Sequence, residues 1–432
     1  MNGLIRALMT AMVAGLIGTS VFVGGFIAGR YTSGGAVEVP VLAGLEDARP
    51  GEGGTPADLE ALFEPFWQAW NLVHEDFVDQ PLDDTQLMQG AINGMMEALG
   101  DEHSSYMAPE DYTLISEDQS GEFEGIGAYV DGEEGRGLRI VSPFPGSPAE
   151  EAGLLPRDLI VAVNGVDITG LNEAEAIGLV RGPAGSTVIL TILRAPEAGQ
   201  PEETREFSVT RARITIASVE GELLEGGIAY VKVNDFGART TRELRDTLRD
   251  LMRSDPAGLV LDLRGNPGGF LSTAIDVTSQ FLPRGTLVMR EEFGDGREVQ
   301  YEAERGGLAT EIPLVVLIDE GSASASEIVA GAIQDNQRGV LVGVTSYGKG
   351  SVQNWHELRG ENGAIRVTVA RWYTPNGRSI HALGIAPDVA VALSEADHAA
   401  GVDPQLDEAL RQIQAIAATA MPAGASLLAE GG

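Results

Sequence analysis

From about residue 226 onward the sequence predicts an α/β core, preceded by a β-rich segment and a helical N-terminal region. Three observations carry this. Strand-like and helix-like stretches alternate after residue 226. Short β-like runs separated by Gly, Pro, Asn and Asp turns fill residues 121–211. Apolar residues recur at spacings of three and four across 57–100.

The chain begins with an uncharged apolar run over residues 7–29, bracketed by Arg6 and Arg30. A bilayer needs about 20 such residues, and a signal-peptide core only about 7–15. No clean A-x-A cleavage site follows. Residues 1–30 are therefore expected to act as an uncleaved signal anchor, with a cleaved signal peptide as the alternative. Either puts the rest of the chain outside the cytoplasm, anchored in the cell membrane in the first case. Residues 31–56, rich in Gly, Pro and acidic residues, read as a linker.

Residues 57–120 read as the helical region. Phe63, Phe66, Trp67, Trp70, Val73 and Phe77 form one stripe. A second helix starts at Asp84-Thr85 and ends at Gly100, with Leu87, Met88, Ile92, Met95, Met96 and Leu99 on its apolar face. Both stripes are expected to be core.

In 121–211 the β-like runs are 127–130, 138–141, 159–163 and 187–193, interrupted by a short helix at about 172–180. In 212–395 the strands are expected at 228–233, 259–263, 314–318, 340–344 and 364–372. The helices between them are expected at 239–253, 270–281 and 324–336. Residues 396–432 end the chain, with a helix over 403–418 and a disordered tail.

Composition narrows the function. The formal net charge is −35, which repels phosphate backbones and argues against nucleic acid as a partner. There is no cysteine, so disulfides, thiolate nucleophiles and cysteine metal sites are excluded together. The five histidines, His74, His103, His356, His381 and His398, show no metal-ligand spacing, and no metal is expected. Of 29 basic residues only Lys232 and Lys349 are lysines. Lysine can be deprotonated in a protein and arginine effectively cannot, so a retained lysine can serve as a neutral amine; chance is the competing explanation.

The chemistry concentrates at Asp319-Glu-Gly-Ser-Ala-Ser-Ala-Ser-Glu327, which joins a buried strand to a helix. The S-x-x-E spacing of Ser324 and Glu327 is that of a capping box. Ser324 is thus either a helix cap or a nucleophile on a tight strand-to-helix turn, beside backbone N–H groups able to stabilise an oxyanion. A serine nucleophile needs a base. Lys349 lies in the Gly-flanked loop 345–353, which contains no acidic residue, and burial there would lower its pKa from about 10.4 toward a useful range. His356 and His381 are the histidine alternatives. Lys232 alternates along a strand and is expected to carry its charge to water.

These residues match a known family. The chain resembles the carboxy-terminal processing peptidases, also called tail-specific proteases, over roughly residues 60–390. The resemblance rests on S-A-S-A-S-E-I at 322–328, A-G-A-I-Q-D at 330–335, T-S-Y-G-K-G-S-V-Q at 345–353 and L-D-L-R-G-N-P-G-G at 261–269. It implies Ser324 as nucleophile, Lys349 as general base and Gln353 as the residue orienting the lysine. It further implies an oxyanion hole from the backbone of Gly268 or Gly269 and of Ala325. Glu124-Gly-Ile-Gly127, Ser147–Leu154 and Asp158–Gly165 resemble a PDZ domain, in which Gly125, Ile126 and Gly127 would hold a peptide's terminal carboxylate. Residues 99–107 resemble the family's N-terminal segment, with Glu102 where proline is common; His103 there reads as structural.

The implied fold is an α/β crotonase-like peptidase core with an inserted, mostly β PDZ domain and a helical N-terminal region. The implied function is a serine endopeptidase that needs no cofactor and cleaves exported or misfolded proteins near apolar C-terminal tails. The PDZ domain would gate the site, and a homo-oligomer or a regulatory partner is compatible with the apolar stripes. Three competing readings remain: a membrane-tethered PDZ adaptor with an inactive core, a crotonase-type acyl-CoA enzyme, and a serine–histidine hydrolase.

Overall fold

The computed structural model describes residues 57–109, 111–113, 122–133, 135–194 and 203–420. The apolar run 7–29, the linker and the tail beyond 420 lie outside the described residues. No helix among the described residues is long and apolar enough to cross a membrane. The chain divides into two units between Asp83 and Asp84.

In the first unit, helix α1 (Ala57–Asp76) carries the aromatic stripe. Phe66 stands edge-on to Trp67 at 5.1 Å, and Trp70 stacks on His74 at 5.2 Å. Phe63, Phe66, Trp67, Val73 and Phe77 are nevertheless exposed, so the expectation of a core stripe is not met. A single helix has no second layer of its own in which to bury an apolar face.

The second unit opens with α2 (Asp84–Glu97) and β1 (Ser105–Met107). On α2 only Met96 is buried, and Met95 is exposed. The β-rich segment follows as β2 (Glu122–Gly125), β3 (Ala128–Glu133), β4 (Gly137–Pro143), α3 (Pro148–Glu151), β5 (Leu159–Val163), β6 (Val166–Asp167), α4 (Glu173–Val180), β7 (Thr187–Arg194), β8 (Glu203–Thr210) and β9 (Ala212–Thr215). Strands β3-β4-β5-β7-β8 form one sheet, with β6 on β5; β2 pairs antiparallel with β9. Alternation along β7 buries Val188, Leu190 and Ile192 completely. These residues meet Ile140, Ile160, Ala176 and Val180 in a core separate from the rest of the unit. Asn172 and Glu175 close α4 with a reciprocal capping box.

The α/β portion runs β10 (Val219–Leu224), β11 (Ile228–Val233), α5 (Thr240–Met252), β12 (Gly258–Asp262), α6 (Leu271–Thr278), β13 (Leu287–Phe293), β14 (Glu298–Glu302), β15 (Leu314–Ile318), α7 (Ala325–Asp335), β16 (Val340–Gly343), β17 (Ser351–Glu357), β18 (Ala364–Tyr373), β19 (Val389–Ala390), α8 (Glu395–Ala400) and α9 (Pro404–Ala420). The main sheet is ordered β10-β11-β12-β15-β16-β19, parallel except for β10. Period-2 alternation divides its strands between two faces. Val231, Leu259 and Leu261 pack with α5, α6 and α7, whereas Ile228, Val260 and Val315 pack with Ala409 and Ile413 of α9. Both faces are covered, which explains why β12 and β15 read as unbroken apolar runs.

The second sheet, β1-β18-β13-β14 with β17 added to β18, is the main departure from expectation. The sequence signalled only β18 within it. Strands β13, β14 and β17 carry charged or polar residues at most outward positions, which weakens their apolar period.

Candidate active site

The site forms where β12 and β15, adjacent and parallel, both end in turns that lead into helices. Ligands bind at the carboxyl ends of strands in such sheets. The turn after β15 delivers Ser324 to the N-cap of α7 with φ 54° and ψ −111°, a left-handed conformation that non-glycine residues rarely adopt. The sequence predicted a tight strand-to-helix turn here, a placement that suits either a helix cap or a nucleophile.

The turn after β12 is built around Asn266, which is completely buried. Its Nδ2 donates to the Val233 carbonyl at 2.7 Å, and its Oδ1 accepts from the Gly268 amide at 2.9 Å. Its own carbonyl accepts from the Ala323 amide at 3.0 Å and from Ser326 Oγ at 2.9 Å. Asn266 therefore ties the two turns together. The Gly268 amide is engaged by that bond. The amides of Gly269 and Ala325 donate to no other group among the described residues.

Gly268 has φ 103°, and a Cβ there would lie 2.8 Å from both the Ala323 carbonyl oxygen and Ser324 Cβ. Gly268→Ala is expected to displace the Ser324 turn by a fraction of an ångström. Misplacement near 1 Å can cost about 100-fold in rate. Steady-state kinetics with a thermal melt would check this: a folded variant of undiminished rate would contradict the packing.

Glu327 joins the serine turn to the lysine loop. It is completely buried. One carboxylate oxygen accepts from the Ser324 amide at 2.8 Å and the Lys349 amide at 2.9 Å; the other accepts from Ser346 Oγ and the Gly348 amide, both at 2.6 Å. The capping-box spacing located Glu327 at this helix end, but nothing in the sequence signalled its reach to residues 346–349.

Lys349 and Ser324 line one cavity of about 220 Å³, with Gln353, Leu271, Trp372 and Arg366 among its walls. Trp372 is buried and donates from Nε1 to the Lys349 carbonyl at 2.9 Å, fixing the lysine backbone against β18. Burial pushes the Lys349 ammonium below the usual lysine range, and the Arg366 charge acts in the same direction. Glu327 and Asp101 oppose this. The loop itself holds no acid, as the sequence indicated, but the fold brings two acids near it from elsewhere.

Gln353 does not bond to Lys349. Its Nε2 donates to Ser351 Oγ at 2.8 Å and Thr368 Oγ1 at 3.1 Å, and its Oε1 takes part in neither bond. No hydrogen bond joins Ser324 to the Lys349 side chain either. The histidine alternatives fare differently. His356 is exposed on β17 and lies off the cavity. His381 is exposed, with its ring edge-on to His103 at 6.4 Å. His103 is the histidine closest in effect to the lysine: burial first, and the Lys349 charge second, push its pKa down. Lys232 sits half-buried on β11 between Glu220 and Asp262 in register, away from the cavity.

Residues 101–105 buttress this wall. Asp101 accepts from Ser104 Oγ, and Ser104 Oγ accepts from the Thr368 amide at 3.0 Å. Burial raises the Asp101 pKa, but hydrogen bonds from Ser104, Thr368 and His103 together hold it below the usual range. No group of acidic residues and histidines among the described residues could hold a metal ion.

In the β-rich segment, Gly125 ends β2, and Ile126 and Gly127 form the turn into β3. The Gly127 φ is 75°, and a Cβ there would strike Ser147 Cβ at 2.6 Å. The Ile126 and Gly127 amides donate to no other group among the described residues. Beside them, between β3 and α4, lies an apolar cavity of about 280 Å³ walled by Phe123, Val130, Phe144, Ile177 and Val180.

Comparison with known proteins places this architecture. Residues 227–391 match peptidase family S41, residues 139–194 a PDZ domain, and residues 46–111 the activating protease CtpB N-terminal domain. The carboxy-terminal processing protease CtpA of Bacillus subtilis is 37% identical over 78% of this chain and 70% of its own. The carboxy-terminal-processing protease of Bartonella bacilliformis is 40% identical over 79% of this chain and 78% of its own. Among solved structures, a Bacteroides fragilis chain described as an S41 protease shares the fold with a TM-score of 0.53, at 19% identity, over 85% of this chain and all of its own. With its PDZ segment inserted ahead of an α/β peptidase core, the chain belongs to the S41 family of carboxy-terminal processing serine proteases.

Proposed function

We propose that this protein is a Ser/Lys endopeptidase that cleaves exported or misfolded proteins near apolar C-terminal tails. The observation that supports this most is the shared cavity of a strained serine and a half-buried lysine whose pKa is lowered by burial. Neutral Lys349 takes the Ser324 hydroxyl proton as Oγ attacks the peptide carbonyl. The Gly269 and Ala325 amides receive the oxyanion. Charged Lys349 then protonates the leaving amine, and water repeats the cycle on the acyl-enzyme. Gln353 Oε1 is the acceptor that aligns the ammonium once charged, with its Nε2 anchored on Ser351 and Thr368.

The β3–α4 cavity is the tail-binding groove in this reading. The tail adds as a strand to β3, its carboxylate on the Ile126 and Gly127 amides and its last apolar side chain between Ile177 and Val180. Residues 7–29 anchor the protein in the cell membrane with its catalytic part outside the cytoplasm.

The test follows cleavage of an unfolded protein with an apolar C-terminus by the full chain, with Ser324→Ala as control. Tail-proximal cuts that vanish in Ser324→Ala support the proposal; tight tail binding without cleavage would make the protein an adaptor. Val180→Asp separates the groove from the chemistry. It is expected to raise KM for the tailed protein about tenfold or more, through a charge placed where an apolar side chain docks, while kcat on a short peptide changes little. An unaltered KM would remove the groove from the account.

A further inference from the structure

The catalytic cavity carries a positive charge that helps to lower the Lys349 pKa but touches no group in the proposed chemistry. Arg366 lies on β18, in register with Ser105 of β1 and Trp355 of β17, and lines the cavity with Ser324 and Lys349. It is half-buried. Its Nε donates to the His103 carbonyl at 2.9 Å, and its guanidinium lies 5.7 Å from the centre of the Trp355 ring. No carboxylate among the described residues pairs with it. Asp101 acts on it only at a distance and is occupied by its own hydrogen bonds. Both Glu327 oxygens are taken by the four donors already described.

Among the described residues no acidic one lines the cavity, although the chain as a whole carries a net charge of −35. If Lys349 works as a neutral amine, Arg366 is the one formal charge on the cavity wall among the described residues. A half-buried guanidinium without a carboxylate is costly unless something pairs with it, and its planar fork matches a carboxylate better than any other common group. The bond at Nε to His103 and the ring of Trp355 hold that fork in place before a ligand arrives.

We propose that Arg366 binds a carboxylate of the polypeptide lying in the catalytic cleft, and so selects where the chain is cut. The carboxylate is either an Asp or Glu side chain close to the scissile bond or, in a substrate whose tail does not occupy the groove, its own C-terminus. This rests on Ser324 and Lys349 forming the catalytic centre.

The test uses the full chain and pairs of otherwise identical peptides with an apolar tail. One pair ends in a free carboxylate or an amide. Others carry Glu or Gln at single positions within three residues of the cut. Wild type is expected to cleave the anionic member of one pair with a kcat/KM about tenfold higher or more. Arg366→Gln is expected to level that preference, and Arg366→Lys to keep part of it. The pair that responds tells whether the tail or a side chain supplies the carboxylate.

Equal cleavage of all pairs by wild type would overturn the proposal. So would a preference that persists undiminished in Arg366→Gln, which would assign carboxylate reading to the tail groove. Should Arg366→Gln not fold, an Arg366→Lys enzyme with the full wild-type preference would be equally contrary. Retention of cleavage by Ser324→Ala would instead sink the catalytic assignment beneath it, a distinguishable failure.

Discussion

Ser324→Ala and Lys349→Arg are each expected to lower kcat for tail-proximal cleavage by at least about 1,000-fold, with the fold intact. Removing a nucleophile or its base from a serine hydrolase costs three to six orders of magnitude, because the two act as a unit. Alanine removes only Oγ from a turn whose backbone is fixed by Glu327 and Asn266. Arginine keeps the positive charge but cannot become a base. Its larger head must still fit a cavity of about 220 Å³, so Lys349→Met is the companion variant. Circular dichroism and thermal melts verify the fold, and single-turnover cleavage reads the chemistry. The double variant should be no worse than either single one. Cleavage within tenfold of wild type by folded Lys349→Arg would transfer the role of base to another residue.

Glu327→Ala is expected to unfold the site and to cost more than about 3 kcal/mol of stability. Four donors, at Ser324, Ser346, Gly348 and Lys349, lose their shared acceptor in a place that water does not reach. Each buried donor left without a partner costs about 1–3 kcal/mol. Glu327→Gln separates charge from geometry. Its carbonyl oxygen can accept from two donors, but its NH₂ faces donors where the other oxygen accepted. Denaturant melts should rank wild type above Glu327→Gln and Glu327→Ala last. A loss below about 1 kcal/mol for Glu327→Ala would show that the carboxylate does not join the two loops.

Much of this was legible from residues. The alternation of β11, β12, β15 and β16 with α5, α6 and α7 followed from mostly apolar runs bounded by turns, and the helix after Ser324 followed from its capping spacing. The edges were less legible. Strands β10, β13, β14 and β17 take their identity from pairing with neighbours, and pairing leaves no local apolar signature. At the site, Ser324, Lys349 and the glycine-rich turn at 265–269 could be picked out in the sequence because their motifs are local, while the roles proposed for them come from the family resemblance.

What escaped the sequence is long-range. Asn266 links β11 to the serine turn, Glu327 reaches 22 residues along the chain to the Lys349 amide, and residues 101–104 arrive at β18 from a separation of more than 260. Each is an ordinary polar residue until the fold supplies its partner. The aromatic stripe of α1 shows the converse. Its period was clear, but periodicity states that a face is apolar, not what covers it.

The most direct measurement of the central claim is the pH dependence of kcat/KM for wild type and His103→Gln. A neutral lysine base makes activity rise with pH through the pKa of the free enzyme's Lys349 and then level off. Burial and Arg366 lower that pKa, so half-maximal activity should fall below the ordinary lysine value of about 10.4. The limb should survive in His103→Gln and move to higher pH in Arg366→Gln, where a repelling charge is gone. A limb that disappears with His103, or one that stays at the ordinary lysine value, would contradict Lys349 as the tuned base.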